Sequence, residues 1–281
     1  MDTQCDNKLK RLEQVLDSYG SVAIGFSGGV DSTFLAAVCA RCMPDRAMLV
    51  HLTTPLIGTP EQASFEREAG RFGLPIIELE LDPLSNPNVA ENPPNRCYHC
   101  KLAGFGRITQ TARERGYAMV IDGSNADDAS DYRPGMRAVE ELGVRSPLQE
   151  VGWRKAEERE LLRQWGFPVW NMPAGACLAT RIPCGEPLTR EKLELVRACE
   201  DYLRELGLSQ VRVRLVNGRA HVAAAPDDLE LLAQRFGIEP TDNNGRLALP
   251  NQIIAALLSY GAHEVDPLAT PYVHGAMNGS R

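Results

Sequence analysis

Along the N-terminal half of the chain, short apolar and β-branched runs alternate with stretches in which apolar residues return every three to four positions. Residues 7–19 place Leu9, Leu12, Val15 and Leu16 on one helical face and stop at Gly20, which suits the left-handed position after a helix. Val22-Ala23-Ile24-Gly25-Phe26 has the length of a buried parallel strand, and Phe34, Leu35, Val38 and Cys39 then recur at helical spacing. Ala47 to Leu52 reads as a second strand and Pro75 to Leu81 as a third. Between them, Thr59-Pro60-Glu61-Gln62 supplies a cap, a proline at the first helical position and a capping-box partner for a helix running to Gly73. A helix ending at Gly116 and a fourth strand, Ala118 to Asp122, complete the series. Strands alternating with helices predict an α/β fold with a doubly wound parallel sheet, whose ligands bind beyond the carboxyl ends of the strands.

The rhythm changes farther on. Asn92-Pro93-Pro94-Asn95 is too proline-rich for a helix or a central strand. Pro134 to Leu142 and Lys155 to Trp165 read as helices, whereas residues 174–185 carry small residues with no amphipathic period and read as an ordered loop. A strongly periodic helix follows Pro187 and Thr189 and ends before Gly207. Gln210 to Val216, the hairpin signal Asn217-Gly218 and Ala220 to Ala224 predict two antiparallel strands, with helices at Pro226–Phe236 and Asn251–Tyr260. This pattern sets three parts: a nucleotide-binding domain over 1–185, a small α+β domain over 186–266 and a tail over 267–281, rich in Gly, Pro and Ser, that reads as mobile or as an assembly arm.

The net charge of −7 over 281 residues argues against a broad nucleic-acid surface, which needs a basic face. No stretch has the layout of a signal peptide or the length of a membrane span, so the expected setting is cytoplasmic with no membrane partner. Eight cysteines in a reducing compartment are then buried thiols, metal ligands or reactive sulfur rather than disulfides.

Candidate chemistry begins with Ser27-Gly28-Gly29-Val30-Asp31-Ser32, between the first strand and its helix. The glycines allow a sharp turn that exposes backbone N–H groups, and the helix N-terminus attracts anionic oxygens, which makes a site for a nucleotide phosphate. The loop lacks the Gly-Lys-Ser/Thr ending of a Walker loop and resembles that of the ATP pyrophosphatases, enzymes that split ATP between its α and β phosphates to adenylate an oxygen. Asp31 either caps the helix or holds Mg²⁺. The fourth strand ends in Gly123-Ser124-Asn125, followed by Asp127, Asp128, Asp131, Tyr132 and Arg133, where carboxylates could hold Mg²⁺ and Arg133 a phosphate; the alternative is a solvated turn. Cys97-Tyr98-His99-Cys100 and the isolated Cys177, joined to an adenylating loop, suggest sulfur insertion, although the same cysteines with His99 suit zinc or a plain dithiol. Arg181 adjoins Cys177 and could lower its pKa or grip an adenylate; the alternative is a loop salt bridge. Arg212 and Arg214 point to one face of their strand, which suits a phosphate or merely solvent.

The phosphate loop, Asn92 to Lys101, Ala126-Asp127-Asp128 through Gly135, and Cys177-Leu178-Ala179-Thr180-Arg181-Ile182-Pro183 together resemble the LarE family over most of the chain. That resemblance implies an adenine nucleotide alpha-hydrolase-like fold and an ATP-dependent sulfurtransferase of nickel-pincer nucleotide cofactor biosynthesis. The implied substrate is pyridinium-3,5-biscarboxylic acid mononucleotide, whose two carboxylates are adenylated in turn and converted to thiocarboxylates. Cys97, Cys100 and Cys177 match the three cysteines that in some members hold a [4Fe-4S] cluster carrying an extra sulfide; others sacrifice the cysteine matching Cys177. The resemblance also assigns Arg212 and Arg214 to the substrate phosphate, places Glu200 near the reactive cysteine, and implies a sulfide donor and a homo-hexamer. Cys184 departs from the pattern and could close the open iron site or accept sulfur. The readings it competes with are a tRNA-thiolating enzyme and a non-catalytic ATP-binding sensor.

Overall fold

The computed structural model of the chain describes residues 3–130, 134–173, 175–239, 241 and 244–273. The chain divides into two compact units, Met1–Ser85 with Asn95–Gly175 and Asn86–Pro94 with Ala176–Arg281.

In the first unit, α1 (Thr3–Ser18) seats Leu12 and Leu16 in the core and ends at Gly20, whose φ of +78° is open to glycine. β1 (Val22–Gly25), α2 (Val30–Cys42), β2 (Ala47–Thr53), α3 (Thr59–Glu68) and β3 (Ile76–Glu80) follow. The short α4 (Pro87–Ala90) belongs to the second unit; α5 (Arg96–Glu114), β4 (Met119–Ile121), α6 (Pro134–Glu141), α7 (Pro147–Val151) and α8 (Lys155–Gln164) complete the first. The four strands are all parallel in the order β3-β2-β1-β4, with Val22 level with both Ala47 and Met119. The chain winds outward from β1 to β3 and returns to the other side of β1, so the switch point lies between β1 and β4. Helices cover the sheet as the alternation predicts, which is why Val22, Ala23 and Ile24 are buried on both faces. One cap differs from the sequence reading: Gly58 takes the cap position of α3, so Thr59 and Pro60 are helical residues. No helix among the described residues is long and apolar enough to cross a membrane.

The second unit is the expected α+β unit with a larger sheet than the periodicity suggests. α9 (Arg190–Glu205) is capped by the Thr189 side chain, which accepts from the Lys192 N–H at 3.2 Å. β5 (Val211–Val216) and β6 (Arg219–Ala224) form the hairpin through Asn217 and Gly218, at φ +50° and +81°. α10 (Pro226–Phe236), β7 (Leu247–Ala248), α11 (Asn251–Ser259), β8 (Glu264–Val265) and β9 (Leu268–Pro271) follow. The sheet runs β5-β6-β9-β7, with β8 also paired to β6.

Two expectations change here. The division falls between Gly175 and Ala176 rather than near residue 186, and residues 86–94 join the later segment. The physical reason is Asn92, whose side-chain amide donates to the carbonyls of Ile182 at 3.3 Å and Pro183 at 2.7 Å. The segment beyond 267 is not wholly a mobile arm, because β9 pairs with β6 and β7 and buries Ala269 completely. Its remainder, 274–281, lies outside the described residues.

Candidate active site

The phosphate loop is fixed from several directions. Gly28 has φ +76°, and a Cβ there would lie 2.6 Å from the backbone nitrogen of Phe65, so both conformation and space require glycine. The Ser64 hydroxyl donates to the Gly28 carbonyl at 2.7 Å. Within the loop, the Ser27 N–H donates to Ser32 Oγ at 3.3 Å, the Gly29 N–H to Ser27 Oγ at 3.3 Å, and Ser32 Oγ–H to the Gly29 carbonyl at 3.2 Å. The Ser27 and Ser32 hydroxyls are 3.1 Å apart. Gly29 is the cap residue of α2 without a side-chain cap, and Val30, Asp31 and Ser32 form the first turn, whose N–H groups have no partner within the helix. Asp31 is therefore not the cap.

The loop after β4 meets this turn closely. A Cβ at Gly123 would lie 2.9 Å from the Ser32 nitrogen. Asn125 donates to Asp31 Oδ1 at 2.9 Å, and the Lys155 ammonium lies 3.1 Å from Asp31 Oδ2. Beside Asp31 sits Glu158, fully buried, with both carboxyl oxygens lacking hydrogen-bond partners. Burial first, and then the neighbouring Asp31 carboxylate, push the Glu158 pKa far above the usual carboxylate range. Ser124 donates through its N–H (3.1 Å) and hydroxyl (2.7 Å) to Asp122, which also accepts from the Ser146 hydroxyl at 2.6 Å. Asp127 accepts the Lys155 N–H at 3.0 Å and pairs with Arg154 at 3.3 Å, serving the start of α8. Ser124 and Asp127 thus hold the loop in shape. Asp131, Tyr132 and Arg133 lie outside the described residues.

Cys97 and Cys100 stand one turn apart at the start of α5, the first exposed and the second half-buried. Arg96 reaches Cys97 Sγ at 3.5 Å, and Asn95 contacts His99 Nε2 at 3.0 Å. Cys39, Cys42 and Cys199 differ in kind. Burial drives the Cys39 thiol well above its ordinary value, Cys42 to about 11 and Cys199 to about 12, so all three are protonated, Cys39 and Cys199 in the core and Cys42 packed against it.

In the second unit Cys177 is exposed and precedes a helical turn, Leu178–Arg181. Its peptide is gripped by Arg181, which donates to the Ala176 carbonyl at 3.0 Å and the Cys177 carbonyl at 3.4 Å, while the Thr180 hydroxyl donates to the Cys177 carbonyl at 2.8 Å. Arg181 is itself anchored to Glu200 at 2.7 and 3.2 Å. Glu200 is fully buried and accepts also from Arg204 at 2.7 Å and the Val213 N–H at 3.0 Å, so each of its oxygens takes two bonds. Burial opposes the charge on Glu200, but the Arg181 bonds and the charges of Arg181 and Arg204 outweigh it and hold the pKa below the usual range. Cys184 is exposed, with its thiol 3.4 Å from the Asn92 carbonyl. Arg212 and Arg214 share the face of β5 opposite the core residues Val211 and Val213. The Arg212 guanidinium lies 5.6 Å from the Tyr272 ring centre, and Arg214 is level with His221, which contacts Asp266 at 3.1 Å. Among the described residues, no three His, Cys, Asp or Glu side chains come together as a metal-ligand set.

No family model matches the chain. Among known proteins it is 38% identical to an uncharacterized protein of Synechocystis sp. over 229 residues, 82% of this chain and 85% of that protein. It is 33% identical over 216 residues to the pyridinium-3,5-bisthiocarboxylic acid mononucleotide synthase of Lactiplantibacillus plantarum, 76% of this chain and 78% of that protein. This chain belongs to the LarE family. A more distant likeness, 29% over 71% of the chain and 69% of the relative, connects it to a component of the glutamine-hydrolyzing GMP synthase of Archaeoglobus fulgidus and agrees with the parallel sheet and loop described above.

The sequence places Asn125 at the end of the fourth strand without a role of its own and does not single out Lys155 or Glu158, yet all three contact or adjoin Asp31. The available signal was the spacing Lys155-x-x-Glu158, which puts an ammonium and a carboxyl on one helical face.

Proposed function

We propose that this protein is an ATP-dependent sulfurtransferase that converts the carboxylates of pyridinium-3,5-biscarboxylic acid mononucleotide to thiocarboxylates. The observation that carries the reading is the Ser27–Ser32 loop, built for phosphate and braced by Gly28 against Phe65, in a chain of the LarE family. A carboxylate oxygen attacks the α-phosphorus of ATP and pyrophosphate leaves, giving an acyl adenylate. A sulfur nucleophile then attacks the acyl carbon, and the bond from that carbon to the AMP oxygen breaks. The first turn of α2 and the Ser27 and Ser32 hydroxyls receive the pyrophosphate oxygens. Lys155 offsets negative charge beside Asp31, the position proposed for Mg²⁺. In the second unit, Arg212 and Arg214 take the phosphate of the mononucleotide.

Sulfur is assigned to Cys97, Cys100 and Cys177. Thiolates are the ligands an iron–sulfur cluster takes, and Cys97 and Cys100 have the spacing and exposure for it. A [4Fe-4S] cluster on the three would supply the sulfide that displaces AMP. Among the described residues these three side chains do not stand together as a ligand set. Glu200 acts through Arg181 as a positioning residue: it fixes the guanidinium that holds the Cys177 peptide.

The test is anaerobic iron and labile-sulfide analysis of the wild type and Cys97→Ala, followed by reaction with ATP and the biscarboxylate mononucleotide. Iron lost in the variant, with repeated formation of thiocarboxylate when sulfide is added, supports the cluster. Iron-free protein that loses one sulfur from Cys177 per turnover replaces the cluster with self-sacrifice. Bound ATP with no pyrophosphate released overturns the reading.

A further inference from the structure

We propose that His51, on β2, is a positioning residue for the phosphate loop and sets how tightly that loop holds the nucleotide; the role rests on reading the loop as an ATP site. His51 is completely buried, yet no step of the reaction uses it. Its Nδ1 lies 2.9 Å from the Phe26 carbonyl. A carbonyl only accepts, so Nδ1 is the donor of this bond. Nε2 is buried with no partner of its own, an expense that a phenylalanine ring of similar shape would avoid.

Two connections run from this ring to the loop. The first passes through the Phe26–Ser27 peptide: its carbonyl is held by His51, while its N–H donates to Ser32 Oγ at 3.3 Å. Fixing the carbonyl therefore fixes the plane of the peptide that orders Ser32. The second passes through Phe65, whose ring stacks on His51 with centroids 3.6 Å apart and planes at 10°. The Phe65 backbone occupies the space that the absent Cβ leaves at Gly28, and its neighbour Ser64 donates to the Gly28 carbonyl at 2.7 Å. One imidazole thus holds both flanks of the turn, by a bond before Ser27 and by a ring face beneath Gly28.

The two connections can be cut separately. His51→Phe keeps the stack and removes the donor, whereas His51→Asn keeps a donor near the Nδ1 position and removes the stack. ATP affinity is read by isothermal titration calorimetry on the whole chain, alongside thermal melting and the KM for each substrate. His51→Phe is expected to weaken ATP binding about tenfold, the effect of losing one hydrogen bond. His51→Asn keeps the bond that orders Ser32 and loses the support under Gly28, so it is expected to weaken ATP binding less than His51→Phe although it melts lower. The KM for the carboxylate substrate stays unchanged in both. ATP bound equally well by His51→Phe and wild type overturns the proposal, as does a loss in the two variants that follows only their melting temperatures. Wild-type protein that binds no ATP instead overturns the assignment of the loop, and the role of His51 with it.

Discussion

Gly28 and Gly29 are adjacent in sequence and unequal in structure. Gly28 has φ +76° and the Phe65 backbone against it, whereas Gly29 has φ −76° and Ser27 Oγ, 3.4 Å away, as the nearest atom to an added Cβ. Gly28→Ala is therefore expected to cost ~2 kcal/mol or more, from a left-handed alanine and a backbone collision together, and to abolish ATP binding. Gly29→Ala should cost about 1 kcal/mol or less. Urea denaturation and ATP titration of the pair check this; equal effects at both positions would contradict the loop geometry. Glu200 gives a second test at this scale. Removing its carboxylate strands the buried Arg181 and partly buried Arg204, so Glu200→Gln should destabilise the protein by ~3–5 kcal/mol at neutral pH. Its folded pKa lies below the unfolded value, so its stabilisation is complete above the unfolded pKa and lost as pH falls through the folded one. The gap between wild type and variant in urea melts should accordingly close in acid.

At the scale of elements, what the sequence makes legible follows the length of each period. α2, α9, α10 and the β5–β6 hairpin announce themselves because each carries several turns or alternations and a cap or turn residue. β7 and β8 are two residues long and exist by pairing with β9 and β6, so no pattern within them could have revealed them. β9 was hidden by the Gly- and Pro-rich composition around it. If it is a working strand, Ala269→Asp, which buries an unpaired charge, should destabilise the protein by at least ~3 kcal/mol in urea denaturation. A change within about 0.5 kcal/mol would mean that the segment is dispensable.

At the scale of the whole molecule, the site divides in the same way. The phosphate loop is legible because its six residues are contiguous and its chemistry is backbone chemistry. Asn125, Lys155 and Glu158 come to Asp31 only through the strand order that sets β4 beside β1, which a linear reading does not supply. Glu200 is placed near the reactive cysteine by resemblance alone; its burial depends on Arg181, a partner from a loop with no period. If a substrate carboxylate is adenylated before sulfur replaces it, the oxygen it loses leaves in AMP. The most direct measurement uses biscarboxylate mononucleotide with ¹⁸O in its carboxylates, incubated with the protein, ATP and a sulfur source, followed by mass spectrometry of the nucleotide released. Adenylation requires one labelled oxygen in each AMP formed, matched by one thiocarboxylate. Thiocarboxylate formed alongside AMP that carries no label would rule out adenylation of the carboxylate.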